Sequence, residues 1–421
     1  MRRGAHAFGK GRRCRLGAGW QRGLSLAETW RCNVDEIRIG LTGLGPRGRH
    51  WLKMLDNFNG YRVTAICDPL TELHEMSLEP LKDPDSIAVY DKYEDFLTDD
   101  NVDAVALTVR CWEQGALAAQ ALEAGKHVNS EVPAAHTMED CWRIVLAAER
   151  SGKVYQLGEQ RRHSGEFAAW RELVRDGKLG KITFCEGQYI GYKQSYRYHR
   201  LPGTAQLVPI EDLPNHPEAE PTWINLMPPI HYLPHELSPI LMVLDDRVTE
   251  VTAMSTRSPS YIHEEILQPD IQLAIMKTAK DTLMRLAVAY TQPTPPRDNH
   301  WCHIMGTKGS VELARSLKDS PKLWLADAQM HDHAEVGWQP QRTDAPAEAR
   351  GSGHSDTDYY IHATFRDALL HGVPQEFDVY RAMDTAAPAI LASESIAQGS
   401  KLMHVPDFRP GPNRRKGEMP R

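Results

Sequence analysis

Residues 36–55, EIRIGLTGLGPRGRHWLKML, decide the fold. A short apolar strand runs into a glycine turn, and helical periodicity follows. Gly43, Gly45 and Gly48 form a GxGxxG pattern. Alone the pattern is weak; after a strand and at the mouth of a helix it is specific. Gly43 permits the tight turn, Gly45 lets the backbone approach a pyrophosphate, and Gly48 allows close helix–strand packing. The helix N-terminus attracts the anion. Pro46 and Arg47 fall within the turn and are expected beside the same ligand.

The next strand, YRVTAICD (61–68), ends in Asp68. It lies about 20 residues past the turn, where a carboxylate hydrogen-bonds ribose hydroxyls. A carboxylate there repels a 2′-phosphate, and Pro69 follows it rather than an arginine. NAD is therefore expected in preference to NADP. The other reading of Asp68 is an acid that caps a turn.

Strand and helix alternate throughout 36–160, which predicts a parallel, doubly wound α/β sheet. Ligands on such sheets sit beyond the strand carboxyl ends. Thr108, Arg110, Trp112, Glu131 and Glu159 all stand at or near such ends. From 176 onward, segments such as ITFCEGQYI and DTLMRLAVAY arrive without regular helices between them. That predicts an α+β second domain with a mainly antiparallel open sheet. The expected organisation is an extension over 1–34, a nucleotide-binding domain over 35–160, a substrate and oligomerisation domain over 161–408, and a tail over 409–421. Segments 202–222 and 329–353 read as exposed loops, and a helix pair closes the chain.

The chain has 421 residues, 41% hydrophobic and 25% charged, enough for two domains with sizeable cores. No apolar run approaches the roughly 18 residues that span a membrane. The net charge of −7 offers no basic face for a nucleic acid. The first 34 residues differ: eight Lys/Arg stand against one acid, Glu28, among many glycines. They read as a disordered extension, with a nucleic-acid arm as the alternative. Seven scattered cysteines without a CxxC fit no disulfide framework and no zinc site, and point to the reducing cytoplasm.

The pieces GLGPRG, GKHVNSEVPAA, DGKLGKI, GTKGSVE and VPDF together carry a resemblance. Over about 36–408 the chain resembles the Gfo/Idh/MocA oxidoreductase family. The resemblance implies a Rossmann domain, NAD, and a sugar or cyclitol substrate facing an open sheet, in a homodimer or homotetramer. The departures are informative. The family's Glu-Lys-Pro reads Glu131-Val132-Pro133 here, and of its Asp-x-x-x-His-x-x-Asp motif only the central histidine survives, in His231, His235 and Ser238. YLPHELSP (232–239) is similar to the NAD-dependent glycoside hydrolases of family 109, which carry Tyr-x-x-His in this place.

Valine cannot take a proton, so His235, with Tyr232 beside it, is the expected catalytic pair. Imidazole titrates near working pH, which makes the histidine the better base. Glu131, Val132 and Pro133 are expected at the cofactor; Glu159, Arg161, His231 and His354 are expected at the substrate. Arg161, Arg162 and His163 read equally as surface salt bridges, and His354 with Asp358 equally as a helix cap. No metal is expected: Pro234 interrupts the His231–His235 spacing and no third ligand is evident. Two enzymatic readings stay open: net oxidation of a sugar or glycoside, and redox-neutral glycoside hydrolysis. A third is an inactive NAD-binding regulator.

Overall fold

The computed structural model describes residues 36–294 and 299–420. The basic extension read over 1–34 lies outside the described residues.

The nucleotide-binding half alternates as the sequence requires. Strands β1 (Ile37–Thr42), β2 (Tyr61–Cys67), β3 (Ala88–Tyr90), β4 (Ala104–Leu107), β5 (His127–Ser130) and β6 (Tyr155–Leu157) form one six-stranded sheet in the order β3-β2-β1-β4-β5-β6. Every pairing in it is parallel. This is the doubly wound Rossmann order, with its crevice where β1 and β4 diverge. Helices α1 (Pro46–Asn57), α2 (Glu72–Leu78), α3 (Tyr93–Leu97), α4 (Cys111–Glu123) and α5 (Met138–Ser151) make the crossovers. Local chemistry marks their ends. Pro46 opens α1, where a missing N–H costs nothing. The Thr137 hydroxyl caps α5 by accepting from Asp140 N, and Gly152 ends it at φ +68°.

Helix α6 (Gly165–Arg175) leads into a nine-stranded sheet. Its strands are β7 (Ile182–Ile190), β11 (Val248–Ser255), β12 (Gln272–Thr278), β13 (Leu283–Ala289), β14 (His300–Gly306), β15 (Gly309–Glu312), β16 (Lys322–Leu325), β17 (Ala334–Glu335) and β18 (Met403–His404). The order is β17-β16-β15-β14-β7-β13-β12-β11-β18. All neighbours are antiparallel except β7 and β13. The antiparallel expectation thus holds, with one parallel pair at the centre. Segment 202–222 departs from the expected plain loop. β8 (Tyr198–Arg200), β9 (Leu207–Pro209) and β10 (Glu220–Pro221) pair into a small sheet, and Val208 is buried under it. Prolines confine these strands to two or three residues, too short for alternation to reveal.

After the short α7 (Trp223–Leu226) comes α8 (Pro234–Leu244), buried at all 11 of its residues. A helix buried on every side is a core helix, and its polar side chains must find partners inside the protein. It packs on β7 and against α6 and α10 (Val379–Ala397). α10 spans both halves, touching β11 on one side and α5 and β6 on the other. α9 (Asp358–Leu370) returns to the nucleotide half. Its Ile361 and Phe365 share a core with Trp51, and Tyr61 Oη donates to His362 O at 2.7 Å.

Candidate functional site

The glycine turn has the shape a dinucleotide needs. Gly43 sits at φ +90°, and a Cβ there would lie 2.5 Å from Thr108 O. A Cβ on Gly48 would lie 1.8 Å from Gly43 O, so helix and turn close only on glycine. At Gly45 a Cβ would meet nothing within 4 Å, which leaves the backbone open where a pyrophosphate approaches. Thr108 staples the turn to β4, its hydroxyl donating to Gly43 O at 2.7 Å. Asp68 is buried, and its carboxylate accepts from Leu44 N at 2.7 Å and Leu70 N at 2.9 Å. A carboxylate has about four acceptor positions, so capacity remains for ribose hydroxyls. These residues fit NAD, which Gly43, Gly45, Gly48 and Asp68 would hold.

Arg110 stands at the N-cap of α4, its guanidinium 5.9 Å from the Trp112 ring. Both residues line a cavity of about 120 Å³ with Leu70, Arg200, Pro202 and Trp223. The small inserted sheet therefore faces the crevice between the strand ends. Glu131 follows β5. Its backbone N–H bonds to Leu107 O at 2.8 Å, and its carboxylate receives Arg47 Nε at 3.1 Å. Burial pushes the Glu131 carboxyl up, and Arg47 and His235 work against that rise. Val132 is buried beside it, joined to Pro133 by a cis bond.

Arg47 does more than border the turn. Its other two nitrogens fork onto Asp358 at 2.7 and 3.1 Å. Asp358, at the start of α9, also receives His354 Nδ1 at 2.9 Å and His50 Nε2 at 3.2 Å. Burial works to raise the Asp358 carboxyl. His354, His50 and Arg47 overcome it and hold the group far below the usual carboxylate range. Arg47 thus ties the nucleotide turn to α9, and His354 lies in that knot.

The second cluster grows from the start of α8. His235 Nδ1 lies 2.8 Å from Glu159 Oε2, a charge contact rather than an aligned hydrogen bond. Arg161 N donates to Glu159 Oε1 at 3.0 Å. The Tyr232 ring lies parallel to the imidazole, 5.7 Å between centroids. Burial drives the Tyr232 phenol well above its ordinary value, so it stays protonated. Glu236, the next residue, is fully buried and accepts from Arg161 at 2.7 Å and from His300 Nδ1 at 2.5 Å. Cys302 Sγ donates to its other oxygen at 3.0 Å. Tyr189, on β7, stacks on His300 at 3.8 Å and meets His235 edge-on at 5.6 Å. Lys193 Nζ donates to Tyr189 Oη at 2.5 Å.

Glu159, Arg161, Tyr232 and His235 therefore converge. His231 turns elsewhere: it is buried against the ring of His136 at 4.7 Å. Burial, then His136, push its imidazole down to about 3. Arg162 is buried as well, which excludes its reading as a surface salt bridge. Tyr189, Lys193, Glu236 and His300 escaped the sequence reading. Glu236 adjoined the recognised His235; Tyr189 at the end of β7, Lys193 just past it and His300 on β14 carried no local signal. Among the described residues no cluster of His, Cys, Asp and Glu has metal-holding geometry, and no helix is long and apolar enough to cross a membrane.

Comparison with known proteins finds two separate family matches along the chain. Residues 37–159 match the oxidoreductase family with an NAD-binding Rossmann fold, Gfo/Idh/MocA. Residues 235–414 match the C-terminal domain of glycosyl hydrolase 109. A glycosyl hydrolase family 109 protein of Shewanella pealeana is 25% identical, over 90% of this chain and 86% of that protein. Glycosyl hydrolase family 109 protein 2 of Phocaeicola vulgatus is 26% identical, over 90% and 96%. Among solved structures, an oxidoreductase from Agrobacterium radiobacter in complex with NAD⁺, L-tartaric acid and magnesium superposes with a TM-score of 0.67 at 18% identity, covering 88% of this chain and 98% of that one. The scyllo-inositol dehydrogenase of Lactobacillus casei, with NAD(H) and scyllo-inositol, gives 0.64 at 16% identity, covering 88% and 99%.

Proposed function

We propose that this chain, an NAD-binding Gfo/Idh/MocA-type oxidoreductase domain joined to a glycosyl hydrolase 109 C-terminal domain, cleaves a glycoside without net oxidation. One observation supports the reading: two side chains that could carry protons stand together near the start of α8, each with its own charged neighbour. His235 rests on Glu159, and Tyr189 rests on Lys193. Net oxidation of a carbinol needs one base, for the hydroxyl proton. Elimination beside a ring ketone needs a second, for a proton on carbon.

NAD, held by Gly43, Gly45, Gly48 and Asp68, would supply a reversible hydride acceptor. His235 takes the hydroxyl proton and returns it at the end of the cycle, and the Glu159 carboxylate stabilises the imidazolium. Tyr189, fixed by Lys193 and stacked on His300, takes the carbon proton adjacent to the ketone. Glu236 holds Arg161 and His300 in place from the buried helix. Val132 leaves an apolar wall where a lysine would compete with imidazolium formation. Substrate and water would become sugar and aglycone with no net change of oxidation state.

Five buried, unbridged cysteines among the described residues support a reducing cytoplasmic location. Met254, Ile275, Leu283 and Met305 are exposed on the large sheet, which supports a homodimer or homotetramer.

The test feeds a panel of aryl glycosides to the purified protein in deuterated water. Aglycone release without NADH accumulation, with deuterium gained at the carbon next to the oxidised one, is expected. Stoichiometric NADH without aglycone release indicates net oxidation instead, and NAD binding with neither indicates a regulator.

A further inference from the structure

The small sheet inserted over 198–221 reaches from one half of the molecule to the other. Its base belongs to the second half. Tyr196, buried just before β8, lies 5.9 Å from the Tyr290 ring, and Asn225 Nδ2 donates to Tyr198 O at 3.1 Å. Strands β8 and β9 form a hairpin, closed by Leu201 N on Gln206 O at 3.1 Å, with Gly203 at φ +72° in its turn. The tip belongs to the nucleotide half. Ala205 N donates to the Glu72 carboxylate at the head of α2, and Ala205 packs with Leu70 against the core of Ile66 and Leu73. The hairpin therefore crosses the strand ends where a doubly wound sheet holds its dinucleotide.

Beneath it lies the cavity of about 120 Å³, walled by Arg200, Pro202 and Thr204 of the hairpin and by Leu70, Arg110 and Trp112 of the strand ends. A self-contained ligand pocket runs to about 300–1,000 Å³, so this space fits one part of a larger molecule. Its position says which part. Leu70 N is bonded to Asp68, the carboxylate placed for ribose, and Arg110 stands two residues past Thr108, whose hydroxyl holds Gly43 O. Between that ribose and the glycine turn runs the pyrophosphate. The charges agree. Among the described residues neither the Arg110 nor the Arg200 side chain has a hydrogen bond or an ion pair. The one carboxylate on the cavity wall, Glu220, stands opposite Arg200 in the β8–β10 pairing with no ion pair joining them. Two guanidiniums against one carboxylate leave N–H donors for a phosphate, which arginine binds with its planar fork.

We infer that the hairpin 198–209 completes the NAD site. Arg200 donates to the pyrophosphate from the side opposite the glycine turn, and the tip docked on Glu72 closes the crevice over the cofactor. Release of NAD then requires the tip to leave α2. The inference needs only NAD binding and stands whether the enzyme hydrolyses or oxidises.

The experiment uses the full chain, freed of NAD and reloaded. Amide hydrogen exchange over 201–206 should slow when NAD is restored. Arg200→Gln should weaken NAD and ADP-ribose alike, each about tenfold, the loss of one charged hydrogen bond. Glu72→Ala should speed NAD release, followed by chase, about threefold, since that carboxylate is exposed. Arg62→Gln, in an exposed ion pair at the opposite end of β2, should match wild type. Arg200→Gln is checked for a wild-type melting temperature without NAD; should it be unstable, exchange and the Glu72 variant decide. Exchange over 201–206 that ignores NAD, unchanged affinity in a folded Arg200→Gln, or unchanged release in Glu72→Ala each overturns the inference.

Discussion

The histidine–carboxylate pair at the start of α9 and the one at the start of α8 are built for different ends. At α9, His354 meets Asp358 at 2.9 Å, yet its side chain is 52% exposed and the same carboxylate carries the Arg47 fork. At α8, His235 meets Glu159 at 2.8 Å with its side chain 9% exposed. Asp358 has its charge balanced whether or not His354 is protonated, so that imidazole is a solvent-facing accessory to a structural knot. At Glu159 the imidazole sits inside the protein, where charge interactions are stronger. The distances are alike; burial and the arginine set the roles apart.

The largest break in the comparison comes from His235→Ala. Removing a positioned base costs roughly 10²–10⁴-fold in rate. Turnover should fall by that order, while NAD affinity, measured by fluorescence titration, stays near wild type. Comparable turnover in His354→Ala would erase the distinction between the pairs.

Asp358→Ala attacks the other pair through its arginine. It leaves Arg47 without its fork, and breaking a buried pair costs about 3–5 kcal/mol. Urea unfolding at pH 7 should register a loss at the lower end, since Arg47 is partly exposed. The Asp358 carboxyl is depressed in the folded state, so its stabilisation is whole above the unfolded value of about 3.9 and is lost as pH falls below that.

The buried histidines define an acid limit for the same fold. His231 and His362 are each pushed down to about 3, by burial first. Unfolded imidazole titrates near 6.5. Between these values the unfolded chain binds protons that the native chain refuses. Stability is whole above about 6.5 and declines as pH falls, by about 1.4 kcal/mol per unit for each histidine. His231→Gln should flatten the dependence between pH 6 and 4 by one such increment. An unchanged slope would mean that His231 titrates normally.

Smaller effects sharpen the picture at the cofactor. Asp68→Ala should weaken NAD about tenfold, the worth of one charge-assisted hydrogen bond, and narrow its advantage over NADP in paired dissociation constants. Smallest of all, His354→Asn keeps a residue tolerant of φ +44°. It should shift stability by no more than about 0.5 kcal/mol, as exposed substitutions do.

The nucleotide half was legible because its signals are local. GxGxxG between a strand and a helix, Asp68 at a strand end, and the alternation through 160 each fix their own structure within a few residues. His235 was legible from the YLPHELSP motif, since Pro234 sets the helix start and the histidine follows it. The small sheet over 198–221 was not, because its strands are too short to show a period. The partners of His235 were only partly visible. Glu159 was recognised as a strand-end residue, but its contact with His235 joins positions 76 apart in the chain.

The sequence by itself determined the Rossmann domain, its NAD-binding glycine turn and the histidine at the head of α8. Only the tertiary structure decided what that histidine can do. Tyr189 with Lys193 comes from one end of β7 and His300 from β14, and Glu236 lies within a helix buried on every side. Arg47, which reads as a cofactor residue, proves to be bound to Asp358 across 311 positions. Backbone conformation follows from neighbours in sequence, whereas charge balance and proton traffic depend on groups that only packing brings within a few ångströms.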